Sequence, residues 1–273
     1  MLRRHMPDPL NLSVNTVVGS RWKIICNPLS VYRQGDSYAI GNALCPNSIE
    51  GGRIKIHMLQ KEQFRLYLVT DNSWREEKSL ADVVEEAVLG GVTMVQYREK
   101  KASYEEKLKQ AAQVQKVCKK YRIPFIINDS VELALAVDAD GVHLGQDDEP
   151  LQIARKRLGK GKIIGTSAHN EEEALRAVSQ GADYIGVGAV FGSSTKTDAV
   201  NLPPDYLQKI CQAVDIPVVG IGGINEKNIL SLQGTGIDGV AVISAILAKK
   251  DVRAAAAAMR SLVEKMMEEN VRK

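Results

Sequence analysis

The feature that most constrains the fold is a regular alternation of short apolar runs with amphipathic segments, which begins at residue 64. The apolar runs are rich in Val and Ile and are apolar on both faces, as strands of a parallel sheet covered by helices must be. They predict eight strands, over residues 65–70, 94–98, 124–128, 141–144, 163–166, 184–189, 217–221 and 239–243.

The segments between these runs repeat apolar residues at helical spacing, so that each predicted helix has one buried stripe. Asp251 is the expected N-cap of the last predicted helix of the chain. Three stripes stand out: Leu80, Val83, Val84, Ala87 and Val88; Leu207, Ile210, Cys211 and Val214, entered through Pro203-Pro204; and Met259, Leu262, Val263 and Met266.

Eight strands and about eight helices, at a repeat of roughly 25 residues, fit a (β/α)8 TIM barrel. An open doubly wound sheet is the alternative, but it usually has fewer strands and a glycine-rich loop directly after the first strand. Here that loop is Asp71-Asn72-Ser73-Trp74, which contains no glycine. The sequence therefore predicts an α/β barrel.

Residues 1–60 do not share this periodicity, and the boundary falls near Met58. We therefore expect a barrel domain over residues 61–273, preceded by an N-terminal extension. The extension is interpreted either as a disordered or weakly folded segment, or as a stretch that is not normally translated. The second interpretation arises because Glu50 to Arg53 can be encoded by a purine-rich sequence that resembles a ribosome-binding site before Met58.

Composition excludes several classes of protein. The net charge is only +3, with no block of Lys or Arg, which argues against a nucleic-acid partner. No apolar run approaches the length of a membrane span. The four cysteines form no CxxC pair and no zinc spacing, which favours reduced thiols in a cytoplasmic protein. We expect small phosphorylated molecules as partners, and a homo-oligomer is compatible with these features.

In such barrels the chemistry lies at the carboxyl ends of the strands. The second predicted strand ends in Gln96, Arg98 and Lys100, which share one face because side chains alternate along a strand. Two cations and an amide on one face favour a polyanionic ligand, with Arg98 able to bind phosphate oxygens bidentately. A solvated strand end paired with helix acids is the simpler alternative.

The third strand ends in Asn128-Asp129, and Asp148 follows the fourth. Neighbouring carboxylates suit Mg²⁺, which takes one or two of them and leaves its other positions to water and phosphate. Asp148 could instead cap the helix that follows it. His143 lies within an apolar run and is interpreted as a packed core residue.

The fifth and sixth strands are followed by hydroxyl side chains that can donate to phosphate oxygens. Ser167 follows the fifth strand, where helix capping is the alternative role. After the sixth strand, a loop with Ser193, Thr195 and Lys196 is typical of a lid over an anion, although a plain polar loop has the same composition.

The seventh and eighth strands carry the most specific signal. Barrels commonly bind a phosphate with the loops after these two strands. Gly222-Gly223 follows the seventh strand, and Ile243-Ser244 follows the eighth and opens a helical segment. Because glycine lets backbone N–H groups approach an anion, these loops predict a monophosphate site.

These motifs, in this order, closely resemble the thiamine-phosphate synthase family over residues 65–266. The resemblance rests on the following stretches of this sequence: Gln96/Arg98/Lys100, Asn128-Asp129, Asp140 to Asp148, Ser167-Ala168-His169, Thr195-Lys196, Val219 to Ile224 and Val242 to Ser244. It implies a transferase that joins 4-amino-2-methyl-5-hydroxymethylpyrimidine diphosphate to 4-methyl-5-(2-hydroxyethyl)thiazole phosphate, or its carboxylated form, and releases pyrophosphate.

The resemblance also implies residue roles. Arg98, Lys100 and Lys196 would act in catalysis, and Asp129 and Asp148 would ligate Mg²⁺. The pyrimidine diphosphate would be bound by Gln96, Arg98, Lys100, Asn128, Ser167 and Lys196. The thiazole phosphate would be bound by Ser193, Thr195, Gly223, Ile243 and Ser244.

Two departures from the family pattern are visible. Ser193 stands where the family usually has threonine, a change that keeps the hydroxyl, and the first sixty residues have no counterpart in the family. Three rival functions are a thiazole tautomerase of the same barrel family, a barrel enzyme of sugar-phosphate or tryptophan metabolism, and a non-catalytic phosphate-binding barrel. The tautomerase should lack the carboxylate pair and the Gln96/Arg98/Lys100 set, and a non-catalytic protein should lack Asp129, Asp148 or Lys196.

Overall fold

The computed structural model describes residues 60–74, 78–192 and 202–268, together with four short strands nearer the N-terminus. Backbone contacts divide the chain into two compact units, residues 1–58 and 59–273. In the first unit the strands form two antiparallel pairs, β1 with β2 and β3 with β4. None of the four was predicted, because residues 1–60 show no regular alternation of apolar runs and amphipathic segments. They are β1 (Val31–Gln34), β2 (Ser37–Ile40), β3 (Asn47–Glu50) and β4 (Arg53–Ile56).

The second unit is a closed barrel of eight parallel strands, β5 to β12. The barrel closes where β12 pairs with β5, with Val240 opposite Leu66. Every predicted strand is present, so the (β/α)8 fold is confirmed. The strands are β5 (Leu66–Val69), β6 (Met94–Tyr97), β7 (Phe125–Asn128), β8 (Gly141–Leu144), β9 (Ile163–Ala168), β10 (Tyr184–Val187), β11 (Val218–Ile221) and β12 (Gly239–Val242).

Helices follow the strands, except that the connection after β11 is a 3₁₀ turn, Ile229–Leu232. The predicted stripe of α1 is entirely buried. Val214 lies one residue beyond the end of α6. The helices are α1 (Leu80–Leu89), α2 (Tyr104–Tyr121), α3 (Val131–Ala136), α4 (Leu151–Leu158), α5 (Glu171–Ser179), α6 (Pro204–Ala213), α7 (Ser244–Leu247) and α8 (Val252–Glu268).

Local sequence explains where several helices begin. Ser103 and Glu106 form a capping box at the start of α2, and each side chain accepts a backbone N–H that the helix leaves unpaired. Asn170 caps α5 by accepting from Glu173 N. Asp251 Oδ1 accepts from Ala254 N at 2.8 Å, as expected for the N-cap of α8. Such caps contribute about 1 kcal/mol each.

The core has two layers. The larger lies between the strands and the helices, and the smaller fills the barrel interior with side chains that include Phe64, Tyr67, Met94 and Tyr184. Gly165 shows how tightly the interior is packed, because a Cβ there would lie 2.1 Å from the Tyr184 ring. Side chains therefore fill the barrel interior, and a ligand can bind only at the mouth of the barrel.

The two cysteines in the described part of the chain, Cys118 and Cys211, are unpaired thiols. Burial raises the pKa of both, and that of Cys211 reaches about 12. Both thiols are therefore protonated at neutral pH. Among the helices that the structure describes, none is long and apolar enough to cross a membrane.

Candidate active site

The end of β6 brings Gln96, Arg98 and Lys100 to the mouth of the barrel. Gln96 is buried, and its Nε2 donates to Tyr67 Oη at 3.0 Å. The Arg98 backbone N donates to Thr70 Oγ1 at 2.8 Å, and its guanidinium lies 3.9 Å from Asp71. The three polar side chains therefore have different surroundings. Only Lys100 is largely exposed.

Asp129 and Asp148, predicted as a pair from neighbouring strand ends, are brought together. Their carboxyl groups lie close enough for Asp129 to raise the pKa of Asp148. Lys100 Nζ lies 2.7 Å from Asp129 Oδ2, and Gly145 N donates to Asp148 Oδ2 at 2.7 Å. Asp148 does not cap α4, since the residue at that position is Pro150. The capping alternative is therefore wrong.

The surroundings of Asp148 disfavour its ionised form. Burial and the neighbouring carboxyl of Asp129 raise the pKa of Asp148, although the Gly145 N–H and Lys100 act in the opposite direction. Asp129 also has a left-handed backbone, with φ of 64°, which is uncommon for a residue other than glycine. Such conformations persist where the surrounding structure holds them, often at functional sites.

The donor set fits Mg²⁺. Within the described residues no cluster of three or more His, Cys, Asp or Glu side chains could hold a metal. Two carboxylates with room for water and phosphate oxygens are, however, what Mg²⁺ usually takes from a protein. Asp148 also borders a cavity of about 250 Å³ that Gly145, Thr166 and Glu173 help to line.

A chain of polar side chains crosses the buried interior between two of the predicted site residues, Gln96 and Ser167. From Gln96 it continues to Tyr67 Oη, which lies 2.9 Å from Tyr184 Oη. His143 Nδ1 is 3.0 Å from Tyr184 Oη, and His143 Nε2 is 3.1 Å from Ser167 Oγ. His143 is therefore a buried residue, as predicted, but it also contacts a predicted site residue.

The ends of β11 and β12 have a different character, because backbone dominates there. Gly222 and Gly223 have φ of 103° and 64°. A Cβ on Gly223 would lie 2.5 Å from Gly192 O, so the loops after β10 and β11 approach closely. The side-chain amides of Asn225 and Asn228 both donate to Gly223 O at 2.9 Å. Glycine is thus needed here both for its conformation and for the close approach.

The remaining predicted site residues fall into two groups. Asn128 is half-buried at the last position of β7. Ile243 lies between β12 and α7, and Ser244 is the exposed first residue of α7. The other three, Ser193, Thr195 and Lys196, lie outside the residues that the structure describes.

Sequence reasoning missed five residues that shape the site. Asn225 and Asn228 follow the glycines so closely that an Asx-type interaction could have been expected. Tyr67 and Tyr184 read as ordinary apolar strand residues, and no local signal shows that their hydroxyls meet. The contact of His143 with Ser167 likewise joins residues 24 positions apart.

Carboxylates and cations at the carboxyl ends of β6 to β8, with a glycine loop after β11, define the class: a (β/α)8 barrel enzyme built for phosphorylated substrates. The model of the thiamine monophosphate synthase family matches residues 66–246, and the chain belongs to that family.

Similar proteins match about three quarters of this chain over nearly their own whole length. The thiamine-phosphate synthase of Ruminiclostridium cellulolyticum is 50% identical over 199 residues, which cover 73% of this chain and 95% of that protein. That of Clostridium acetobutylicum is 48% identical, covering 76% and 98%. The solved thiamine phosphate pyrophosphorylase of Pyrococcus furiosus has a TM-score of 0.70 at 40% identity, covering 76% and 98%. The predicted family, thiamine-phosphate synthase activity and transferase class are confirmed.

Proposed function

We propose that the mouth of the barrel holds two phosphorylated substrates side by side, a pyrimidine diphosphate near β6 to β8 and a thiazole phosphate near β11 and β12. The observation that carries this proposal is the Asp129–Asp148 pair with Lys100 beside it. Such an arrangement of opposite charges is suited to a diphosphate and its metal ion, because both signs of charge then have partners.

In the diphosphate site, Gln96, Asn128 and Ser167 supply neutral polar groups, and Arg98, Lys100 and Lys196 supply positive charge. Asp129 and Asp148 would hold Mg²⁺, which, when bound, withdraws charge from the diphosphate oxygens. Arg98 can donate two parallel hydrogen bonds to a phosphate, a geometry that lysine lacks.

For the thiazole phosphate we propose a site built from Ser193, Thr195, Gly223, Ile243 and Ser244. The close approach of the loops at Gly223 supports a backbone-lined site, since the atoms nearest to Gly223 are backbone atoms of Phe191 and Gly192. Asn225 and Asn228 fix the carbonyl of Gly223 and so orient the peptide that follows it.

The reaction follows from these positions. The bond between the pyrimidine methylene carbon and the diphosphate oxygen breaks, and its electron pair leaves with pyrophosphate. The thiazole nitrogen then supplies the electron pair for the new C–N bond. Arg98, Lys100 and Lys196 stabilise the charge that develops on the departing oxygens, which lowers the barrier to ionisation. Binding both substrates in one mouth supplies proximity and orientation.

The experiment is an assay of pyrophosphate release by the full chain. We expect pyrophosphate only when both phosphorylated substrates and Mg²⁺ are present, in equal amounts with thiamine phosphate. No release under these conditions contradicts the proposal. Isomerisation of a carboxylated thiazole phosphate without pyrophosphate release would instead support the tautomerase alternative.

A further inference from the structure

One continuous order of donors and acceptors can run through the buried chain from Gln96 to Ser167. Gln96 Nε2 can only donate, so Tyr67 Oη accepts from it. In this order the Tyr67 hydroxyl donates to Tyr184 Oη, and the Tyr184 hydroxyl donates to His143 Nδ1, whereas the opposite order has a proton on Nδ1. An imidazole that accepts at Nδ1 donates at Nε2, and its partner there is Ser167 Oγ.

This order has a consequence for Ser167. In this order the Ser167 oxygen accepts from His143, so the hydrogen of the Ser167 hydroxyl points elsewhere, and Ser167 is half-buried at the end of β9 beside the mouth. We propose that Tyr67, Tyr184 and His143 are positioning residues that make Ser167 a fixed hydrogen-bond donor to a substrate oxygen. The inference rests on the proposed diphosphate site, since Ser167 is one of its residues.

The packing around the chain supports this role. Tyr184 is completely buried and Tyr67 is 2% exposed, and burial raises the pKa of both hydroxyls, so that neither ionises at neutral pH. A Cβ on Gly165 would collide with the Tyr184 ring, and one on Gly186 would lie 3.2 Å from His143 Cε1. Neighbouring strands therefore carry glycine where these two rings lie.

Physical chemistry explains why a polar chain is useful in an otherwise apolar interior. Hydrogen bonds aligned in one direction polarise each other, and a rigid donor needs no reorganisation when charge develops on its partner. An apolar interior would fill the same volume but would leave the Ser167 hydroxyl able to rotate between donor and acceptor roles.

The test is a double-mutant cycle with Tyr184→Phe and Ser167→Ala, assayed by pyrophosphate release at saturating thiazole phosphate. Each single variant should lower kcat by about 10-fold or more, the effect of one hydrogen bond to a charged group. If Tyr184 acts through Ser167, the double variant should be within about twofold of Ser167→Ala alone. Losses that multiply, or an unchanged kcat in Tyr184→Phe, would overturn the inference.

Two further variants separate positioning from folding. Tyr97→Phe removes another buried hydroxyl, which donates to Gln110 and is not one of the hydrogen-bonded groups between Gln96 and Ser167. This variant should lower the melting temperature without lowering kcat. If Tyr184→Phe does not fold, the same cycle is run with Tyr67→Phe, which interrupts the series of hydrogen bonds one step earlier. A double variant close to Ser167→Ala alone supports the inference, and losses that multiply overturn it.

A measurement without substrates separates this inference from the proposed function. The ¹⁵N signals of His143, assigned by comparison with His143→Asn, should show a neutral ring with the proton on Nε2, and this preference should weaken in Tyr184→Phe. A proton on Nδ1 would overturn the inference even in an active enzyme. If the expected tautomer is found in a protein that releases no pyrophosphate, the proposed function fails and the hydrogen-bond chain remains.

Discussion

The two halves of the barrel mouth differ in composition: one consists mainly of charged side chains and the other mainly of backbone groups. At the ends of β6 to β8 the site consists of charged side chains, where Lys100 pairs with Asp129 and the Asp129 carboxyl lies near that of Asp148. At the end of β11 it consists of backbone, where Gly223 approaches Gly192 and two asparagine amides hold its carbonyl. A diphosphate that departs as pyrophosphate needs positive charge and a metal ion to neutralise its oxygens. A phosphate that stays bound needs only a pocket of the right shape with N–H donors.

The largest expected effect comes from removing a carboxylate in the charged half. Asp129→Ala and Asp148→Ala should each lower turnover at limiting Mg²⁺ by at least about 10- to 100-fold, the loss found for groups that merely support a metal ligand. Asp147→Ala is the matched control, because that aspartate is exposed beside the pair. The measurement is turnover as a function of Mg²⁺ concentration, and an unchanged dependence in both variants would contradict the ligand role.

An intermediate effect is expected in the backbone half. Gly223→Ala combines a positive φ with a collision, so KM for the thiazole phosphate should rise by about 10-fold, a free-energy change of about 1.4 kcal/mol. Gly234→Ala is matched, since its φ of 78° is also positive but its Cβ would meet nothing within 4 Å. Steady-state kinetics of both variants test this, and equal KM values would mean that the close approach has no role in binding.

The smallest effect concerns stability. Because the folded state raises the pKa of Asp148 above its usual 3.8, ionisation of Asp148 destabilises the fold. Stability from this group should therefore fall as pH rises from about 3.8 through the raised pKa, and the penalty should persist at neutral pH.

Asp148→Asn should accordingly have a slightly higher melting temperature than the parent protein at pH 7 without Mg²⁺. Added Mg²⁺ should reduce this difference in melting temperature. Circular dichroism melts in the presence and absence of Mg²⁺ give the comparison, with Asp147→Asn as the control. A lower melting temperature for Asp148→Asn without Mg²⁺ would show that the carboxylate pair is not repulsive.

The fold could be predicted well from sequence because its signals are local. The stripe of α1 and the apolar runs of the eight strands follow from the periods of single elements, which need no knowledge of distant residues. The predictions were less accurate where that pattern is missing. The strands β1 to β4 are as short as most of the barrel strands, but residues 1–60 lack the regular alternation that revealed the barrel strands. The 3₁₀ turn Ile229–Leu232 is too short to show a helical stripe.

For the site, the sequence by itself determined which residue types stand at the strand ends, and parallel strands in a barrel bring those ends to one mouth. Asp129 and Asp148 could be paired in this way from the order of the strands alone. Only the tertiary structure decided that Asp148 does not cap α4 and that Lys100 pairs with Asp129. It alone joined Tyr67, Tyr184 and His143 into one chain, because contacts across the barrel interior depend on how all eight strands close and leave no trace in local spacing.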